Sequence, residues 1–210
     1  MTVLLALDGY YERMEQRKEA EPPGFSREKI SFAIVLSSDG EPVDVLDLRT
    51  QSGRKLQPAQ LEVPAAVKRT AGISSNLLWD KTSYVLGRTA GEGKRTADEH
   101  AAFKQAQFDL LGEAKDEGLS ALRRFLEAWS PERFDAPPFI PEMLDANLVF
   151  ALDGERGYIH ERDAPKRLIQ ARVGGDGPVG FCLITGVHAP TRRLHPTIKG
   201  VDGHKARERR

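Results

Sequence analysis

Lys68, Arg69, Asn76 and Lys81 lie in one glycine-broken stretch, Val67 to Gly87, which opens basic and ends aromatic and aliphatic. These side-chain types suit nucleic acid. Each lysine or arginine that meets a phosphate releases condensed counterions, so its contribution is electrostatic and salt-dependent. An amide such as Asn76 both donates and accepts, as reading a base edge requires. From Val67 to Arg95 the cations Lys68, Arg69, Lys81, Arg88, Lys94 and Arg95 face only Asp80 and Glu92. Arg192, Arg193, Lys199, Lys205, Arg207, Arg209 and Arg210 form a second basic cluster. The competing interpretation is a solvated charged face, the ordinary meaning of scattered Lys and Arg. Composition alone leaves the two open. Trp79 and Tyr84 stand among Leu77, Leu78, Val85 and Leu86, which points to core packing rather than to base stacking.

Catalytic chemistry needs a converging nucleophile, base or metal-ligand set. His100, His160, His188, His195 and His204 make no close ligand pattern with the single cysteine, Cys182, or with a carboxylate. A zinc site from Cys182, His188 and His195 has no standard spacing. The simpler expectation is that Cys182 is a small core residue on a strand and that the histidines occupy polar loops. Gly91-Glu-Gly-Lys-Arg-Thr96 is only a fragment of a phosphate-binding loop, with its first glycine misplaced. Asp44 and Asp47 read as solvated hairpin residues rather than as an acid and base pair. No catalytic residue, metal ligand or cofactor is expected, and the chain is not expected to be an enzyme.

The elements that must position the basic stretch follow from periodicity. Apolar residues at helical spacing predict a helix from Thr2 to Arg17, ended by Glu21-Pro-Pro-Gly24. Ile30–Leu36, the turn Ser38-Asp-Gly40, and the alternating Val43–Leu48 predict an antiparallel hairpin. Thr50 to Pro58 reads as loop, and Leu61–Val63 as a short strand stopped by Pro64. Lys68 to Asn76 reads as loop, Leu77 to Leu86 as a strand or strand pair, and Arg88 to Arg95 as a basic linker. Thr96-Ala-Asp-Glu99 has the pattern of a capping box. It opens a helix with Phe103, Ala106 and Leu110 on one face. Leu119, Leu122, Phe125, Leu126 and Trp129 mark a second amphipathic helix, and Ser130-Pro131 a further helical turn. Asn147–Leu152, Asp153-Gly154 and Tyr158–His160 predict a second hairpin. Val179–Thr185 predicts a buried strand. The expected class is α+β, with antiparallel hairpins and sheet around a helical insertion.

Bulk properties bound the rest. The 210 residues suffice for one large domain or two small ones. Lys plus Arg and Asp plus Glu both number 31, so the formal net charge is +0 and any pull toward an anionic partner is local. A single cysteine permits no intramolecular disulfide, which fits a cytoplasmic setting. The apolar run Val3–Leu7 lacks the flanks of a signal peptide. No apolar stretch approaches the roughly 18 residues of a bilayer-spanning helix, so no membrane partner is expected.

Several segments together resemble the large subunit of the type I-C CRISPR Cascade complex. They are Leu7-Asp-Gly-Tyr-Tyr-Glu-Arg-Met14, Pro22-Pro-Gly-Phe25 with Lys29-Ile-Ser-Phe-Ala33, Val45-Leu-Asp-Leu-Arg49, and Val63-Pro64 with Lys68-Arg-Thr70. Further on come Leu78-Trp-Asp80 with Thr82-Ser-Tyr-Val-Leu-Gly87, Cys182-Leu-Ile-Thr-Gly186 and His195-Pro-Thr-Ile-Lys-Gly-Val201. The resemblance implies antiviral defence within a crRNA-containing complex. Its large subunit joins backbone subunits, helps to recognise the protospacer-adjacent motif in double-stranded target DNA, and recruits a separate helicase-nuclease. The site residues implied are Lys68, Arg69, Asn76 and Lys81. Ser74-Ser75 and Lys81 depart from the family pattern, which has a basic-Pro pair and an asparagine there. The resemblance also implies that residues 1–201 are an N-terminal α+β region of a truncated large subunit, with 202–210 a divergent, disordered basic tail. The alternative function is a protein-interaction fragment that docks onto other subunits, or a non-functional remnant.

Overall fold

Five consecutive apolar residues, Phe32–Leu36, form a strand that is buried along its whole length. A strand can do this only when both of its faces and both of its edges are covered, and the rest of the fold supplies those covers. The structure is a computed structural model that describes residues 3–17, 19–69, 72–112, 115–173, 178–182 and 186–190. The chain divides into two units, Tyr10–Val173 and Met1–Gly9 with Gly174–Arg210. The helix α1, Val3–Gln16, crosses that division and buries no side chain among the described residues. The tail 202–210, like the basic cluster from Arg192 onward, lies outside the described residues.

In the larger unit β1 is Phe25–Ile30, β2 Phe32–Leu36, β3 Pro42–Asp47, β4 Thr50–Ser52, β5 Lys55–Gln57 and β6 Ala59–Pro64. Then come β7 Asp80–Lys81, α2 Thr82–Val85, α3 Thr96–Leu111, α4 Glu117–Ala128, β8 Asn147–Leu152 and α5 Asp163–Ala171. The central sheet has the order β3-β2-β8-β7. β2 pairs antiparallel with β3 and parallel with β8, and β8 pairs antiparallel with β7. The helices α2, α3 and α4 fall in the crossover between the two parallel strands, so the expected α+β class with a helical insertion holds.

Side chains on a strand alternate between faces. Phe32, Ile34 and Leu36 with Leu148, Phe150 and Leu152 therefore point into one core. There they meet Phe103 of α3, and Leu122, Phe125 and Leu126 of α4. Ala33 and Val149 face the other way and pack with Ile30, Val63 and Trp79. The β1–β6 ribbon, paired from Phe25 with Pro64 to Ile30 with Ala59, contributes to this second core.

Several expectations are corrected. Ile30–Leu36 is not one strand. It divides at Ser31, whose N–H donates to the Asn147 carbonyl at 3.0 Å and whose carbonyl accepts from the Leu48 N–H at 2.9 Å. Thr50 to Pro58 is not loop but holds the β4–β5 hairpin. Leu77 to Leu86 is a two-residue strand and a single helical turn, because a helical turn buries Tyr84, Val85 and Leu86 together. The second hairpin does not form. Ile159–Glu161 instead winds into a 3₁₀ turn that buries Ile159 and His160. Thr96 is not an N-cap: Arg95 takes that position without a side-chain bond, and Thr96 is the first helical residue.

The smaller unit contains an antiparallel pair, β9 Val179–Phe181 and β10 His188–Pro190. Its strand is exposed rather than buried, with Val179 at 66% and Phe181 at 64%. Residues 183–185 of the expected strand lie outside the described residues. Cys182 follows β9 and is half-buried.

Two local features carry tests. The β2–β3 turn lies against α4, with Arg124 Nη1 donating to the Ser38 carbonyl at 2.6 Å. Gly40 in this turn has φ +84, and a Cβ there would stand 2.6 Å from Phe125 N and 2.7 Å from Ala121 O. Both are backbone atoms of α4 and cannot swing aside. Gly40→Ala is expected to destabilise the protein by about 2–4 kcal/mol, read as a lower urea midpoint with unchanged m.

His100 and His160 are buried, not in polar loops. The His160 ring stacks on Tyr158 at 5.6 Å, and its Nε2–H donates to the Glu62 carbonyl at 3.1 Å. Its Nδ1 is buried with no hydrogen-bond partner. Burial lowers its pKa to about 4, against the pull of the Glu62 carbonyl and with a smaller push from Lys166. Burial also lowers His100, whose Nδ1 lies 2.9 Å from the Tyr84 carbonyl. Below pH ~6.5 the unfolded histidine takes a proton that the folded one refuses, so stability falls as pH drops from ~6.5 toward 4. For His160 the loss is roughly 3 kcal/mol across that window. Urea melts at successive pH values should show a shallower fall for His160→Phe, with a residual slope from His100. An unchanged slope would contradict this assignment.

Candidate nucleic-acid interface

The chain leaves β6 at Pro64 and returns to the sheet at β7. The loop between them is fixed at both ends. Ala65 N–H donates to the Gly24 carbonyl at 2.8 Å, and the Trp79 indole N–H donates to the Pro64 carbonyl at 2.7 Å. Trp79 and Tyr84 are core residues, 3% and 4% exposed, as their apolar neighbours predict.

The Asp80 carboxylate organises what lies between. It is 1% exposed and accepts from Asn76 N–H at 2.9 Å, from Lys81 N–H at 2.7 Å, and from the Arg69 guanidinium. Burial pushes its pKa upward, while the two backbone donors and Arg69 pull it down. Burial is the largest of these effects, so the net shift is upward. Arg69 is held on two further sides: its Nε donates to the Ser74 carbonyl at 2.6 Å, and its guanidinium lies 4.1 Å from the Tyr84 ring centroid. Gln107 of α3 clamps the turn from beneath. Its amide oxygen accepts from Leu78 N–H at 2.8 Å and its amide nitrogen donates to the Asn76 carbonyl at 3.0 Å. Leu78 itself sits at φ 62, a left-handed conformation uncommon for a non-glycine residue.

The sequence-predicted residues thus separate into two kinds. Asn76 is not an open base-reading amide. It is 4% exposed, and its Oδ1 accepts from Val67 N–H at 2.9 Å. The loop needs an acceptor for that N–H, and the side chain supplies it. Arg69 is mostly committed to Asp80, Ser74 and Tyr84. Lys68 and Lys81 are exposed, and neither ammonium has an ion-pair or hydrogen-bond partner among the described residues. The other cations of the stretch are occupied: Arg88 pairs with Asp135 at 2.7 Å and Lys94 with Glu92 at 2.9 Å.

Arg69, Lys81 and Tyr84 line a polar cleft of about 390 Å³. Its other cation, Arg95, is the last of the basic stretch and stands at the N-cap of α3. Arg95 reaches across to donate to the Gly72 carbonyl at 3.1 Å. Of the two acids in the wall, Asp145 is engaged by the Thr89 hydroxyl at 2.6 Å. The cleft can hold an anion against Lys81 and Arg95. Among the described residues no group of three or more His, Cys, Asp or Glu side chains is placed to hold a metal. His195 of the conceivable zinc set lies outside them. Sequence reasoning missed Gln107 and took Asp80 for a mere diluent of the patch. Gln107 had left a signal, since it shares a helix face with Phe103 and Leu110.

The family model described as CRISPR-associated protein (Cas_Csd1) matches residues 7–209 of this chain. No curated protein matches it. Among the described residues no helix is long and apolar enough to cross a membrane.

The Asp80 network generates a stability test. Asp80→Ala strands the Asn76 N–H and an inward-held guanidinium, and is expected to cost about 3–5 kcal/mol. Gln107→Leu orphans two buried backbone groups, at about 1–3 kcal/mol each. The expected readout for both is a lower urea midpoint. Lys81→Ala serves as the exposed control and should change the stability by no more than about 0.5 kcal/mol.

Proposed function

The chain belongs to the CRISPR-associated Cas_Csd1 family, and we propose that it acts as the large subunit of a type I-C crRNA-guided surveillance complex, holding double-stranded target DNA beside the protospacer-adjacent motif. One observation carries this reading beyond family membership. Lys68 in the loop and Lys81 at the end of β7 are exposed and unpaired, beside a frame of bonds made by Asp80, Gln107 and Trp79. A phosphate backbone needs cations that are not already neutralised, presented by a support that does not give way. In such complexes guide pairing reads the target, while protein reads the short motif and holds the backbone. Lys81 and Arg95 of the cleft would take a phosphate. Arg69 and Asn76 would act as supports rather than as contacts.

The role proposed is binding, not catalysis. Backbone subunits of the crRNA-containing complex and a recruited helicase-nuclease are its proposed partners, with strand cleavage assigned to the latter.

Duplex binding by fluorescence anisotropy, across a salt series, tests the reading. Lys68→Ala with Lys81→Ala is expected to weaken binding and to flatten the log affinity versus log salt slope by about 1.8, from ~0.9 per lost phosphate contact. Thermal melting should be unchanged. Salt-independent binding, or no loss in the double variant, would sink it.

A further inference from the structure

The β4–β5 hairpin is exposed at every residue from Thr50 to Gln57, and it pairs with no other strand. Two isolated strands of three residues are a poor investment for stability alone. The hairpin is nevertheless built with care. Ser52 pairs with Lys55 across a two-residue loop, Gly53-Arg54. Gly53 takes φ 61 at the first central position, where a type II′ turn demands a positive value. The Gln51 amide braces that turn by donating to the Gly53 carbonyl at 2.7 Å. At the root, Arg49 donates twice to Asp47, at 2.9 and 2.7 Å, and lies 4.5 Å from the Phe32 ring centroid. A rigid root therefore carries a projecting ribbon.

The register places Thr50, Ser52, Lys55 and Gln57 on one face. All four side chains can hydrogen-bond, and none has a hydrogen-bond or ion-pair partner among the described residues. Arg54, at the tip, has none either. Between Asp47 and Glu62 the chain contains no acid. A projecting, acid-free ribbon with free donors on one face and two free cations at its tip is complementary to a polyanion that has a groove. The strands of a ribbon lie about 4.8 Å apart, and the ribbon with its side chains fits the ~12 Å major groove of B-form DNA. The deep, narrow major groove of A-form RNA does not admit it.

We propose that the β4–β5 ribbon enters the major groove of duplex DNA, with Arg54 and Lys55 at its tip on phosphates and Thr50, Ser52 and Gln57 toward base edges. This rests on the duplex-DNA reading above and adds a second contact element that is independent of the Lys68–Lys81 loop.

The full chain is titrated with B-form DNA duplexes and with an A-form RNA duplex of matching sequence. Arg54→Ala with Lys55→Ala is expected to lower DNA affinity about tenfold or more at low salt and to reduce the salt slope by about 1.8. The RNA duplex should show no such change. Gln57→Ala should leave the slope unaltered and narrow the spread of affinities among DNA sequences. Circular dichroism confirms folding, since no altered side chain touches the core. Unchanged DNA affinity and slope in the tip variant overturn the ribbon proposal, even where the Lys68 and Lys81 variant loses binding. Loss in the tip variant alone supports the ribbon and removes the loop reading. Equal losses on DNA and RNA reduce the tip to non-specific charge and overturn the groove assignment, as does failure of the full chain to bind any duplex.

Discussion

A single buried carboxylate ties together parts of the chain that differ in every other respect. Asp80 receives an N–H from the turn, an N–H from its own strand, and a guanidinium from the far side of the loop. A carboxylate in that setting is costly unless each lone pair is used, and here the cost is offset by the donors from Arg69, Asn76 and Lys81. Of the two exposed lysines, Lys81 is held directly by that acceptor through its backbone N–H. Gln107 repeats the device from the helix side, with one amide satisfying the backbone groups on either side of Leu77.

The basic patch thereby acquires a division of labour that residue counting does not reveal. Cations close in sequence do different jobs once their partners are known. Arg69 and Arg88 hold the protein together, whereas Lys68 and Lys81 face solvent with their charge intact. Arg95 closes the cleft from the neighbouring helix, so the field there comes from two elements rather than from one charge run.

The parts of this architecture that could be read from sequence are those governed by local rules. The Ser38-Asp-Gly40 turn, α4 with its apolar stripe, and the burial of Trp79 and Tyr84 follow from turn chemistry and periodicity. The failures share a different origin. Tyr158–His160 has strand-like composition, but Ile159–Glu161 winds into a 3₁₀ turn that buries Ile159 and His160. Leu77–Leu86 has strand-like composition, yet helix α3 gives that surface a better place as a helical turn. Asn76 had the chemistry to read a base, and only a long-range neighbour, Val67 N–H, shows that its amide is spent inside the loop. Edges, neighbours and distant hydrogen-bond demands are not written in any short window of residues.

The doubly covered strand β2 has a consequence for how this chain must be made. Phe32 and Leu36 find their parallel partners only at Leu148 and Leu152. During synthesis β2 therefore leaves the ribosome long before β8 exists, with an unpaired edge and two apolar faces uncovered. Parallel pairing across so long a crossover is entropically late, so the central strand passes through a prolonged interval in which intermolecular association competes with folding. The β2–β3 hairpin shields one edge in that interval, and its turn is already shaped to receive α4. Expression yield of this protein should accordingly be governed by the rate at which the helices arrive, more than by the stability of the finished fold.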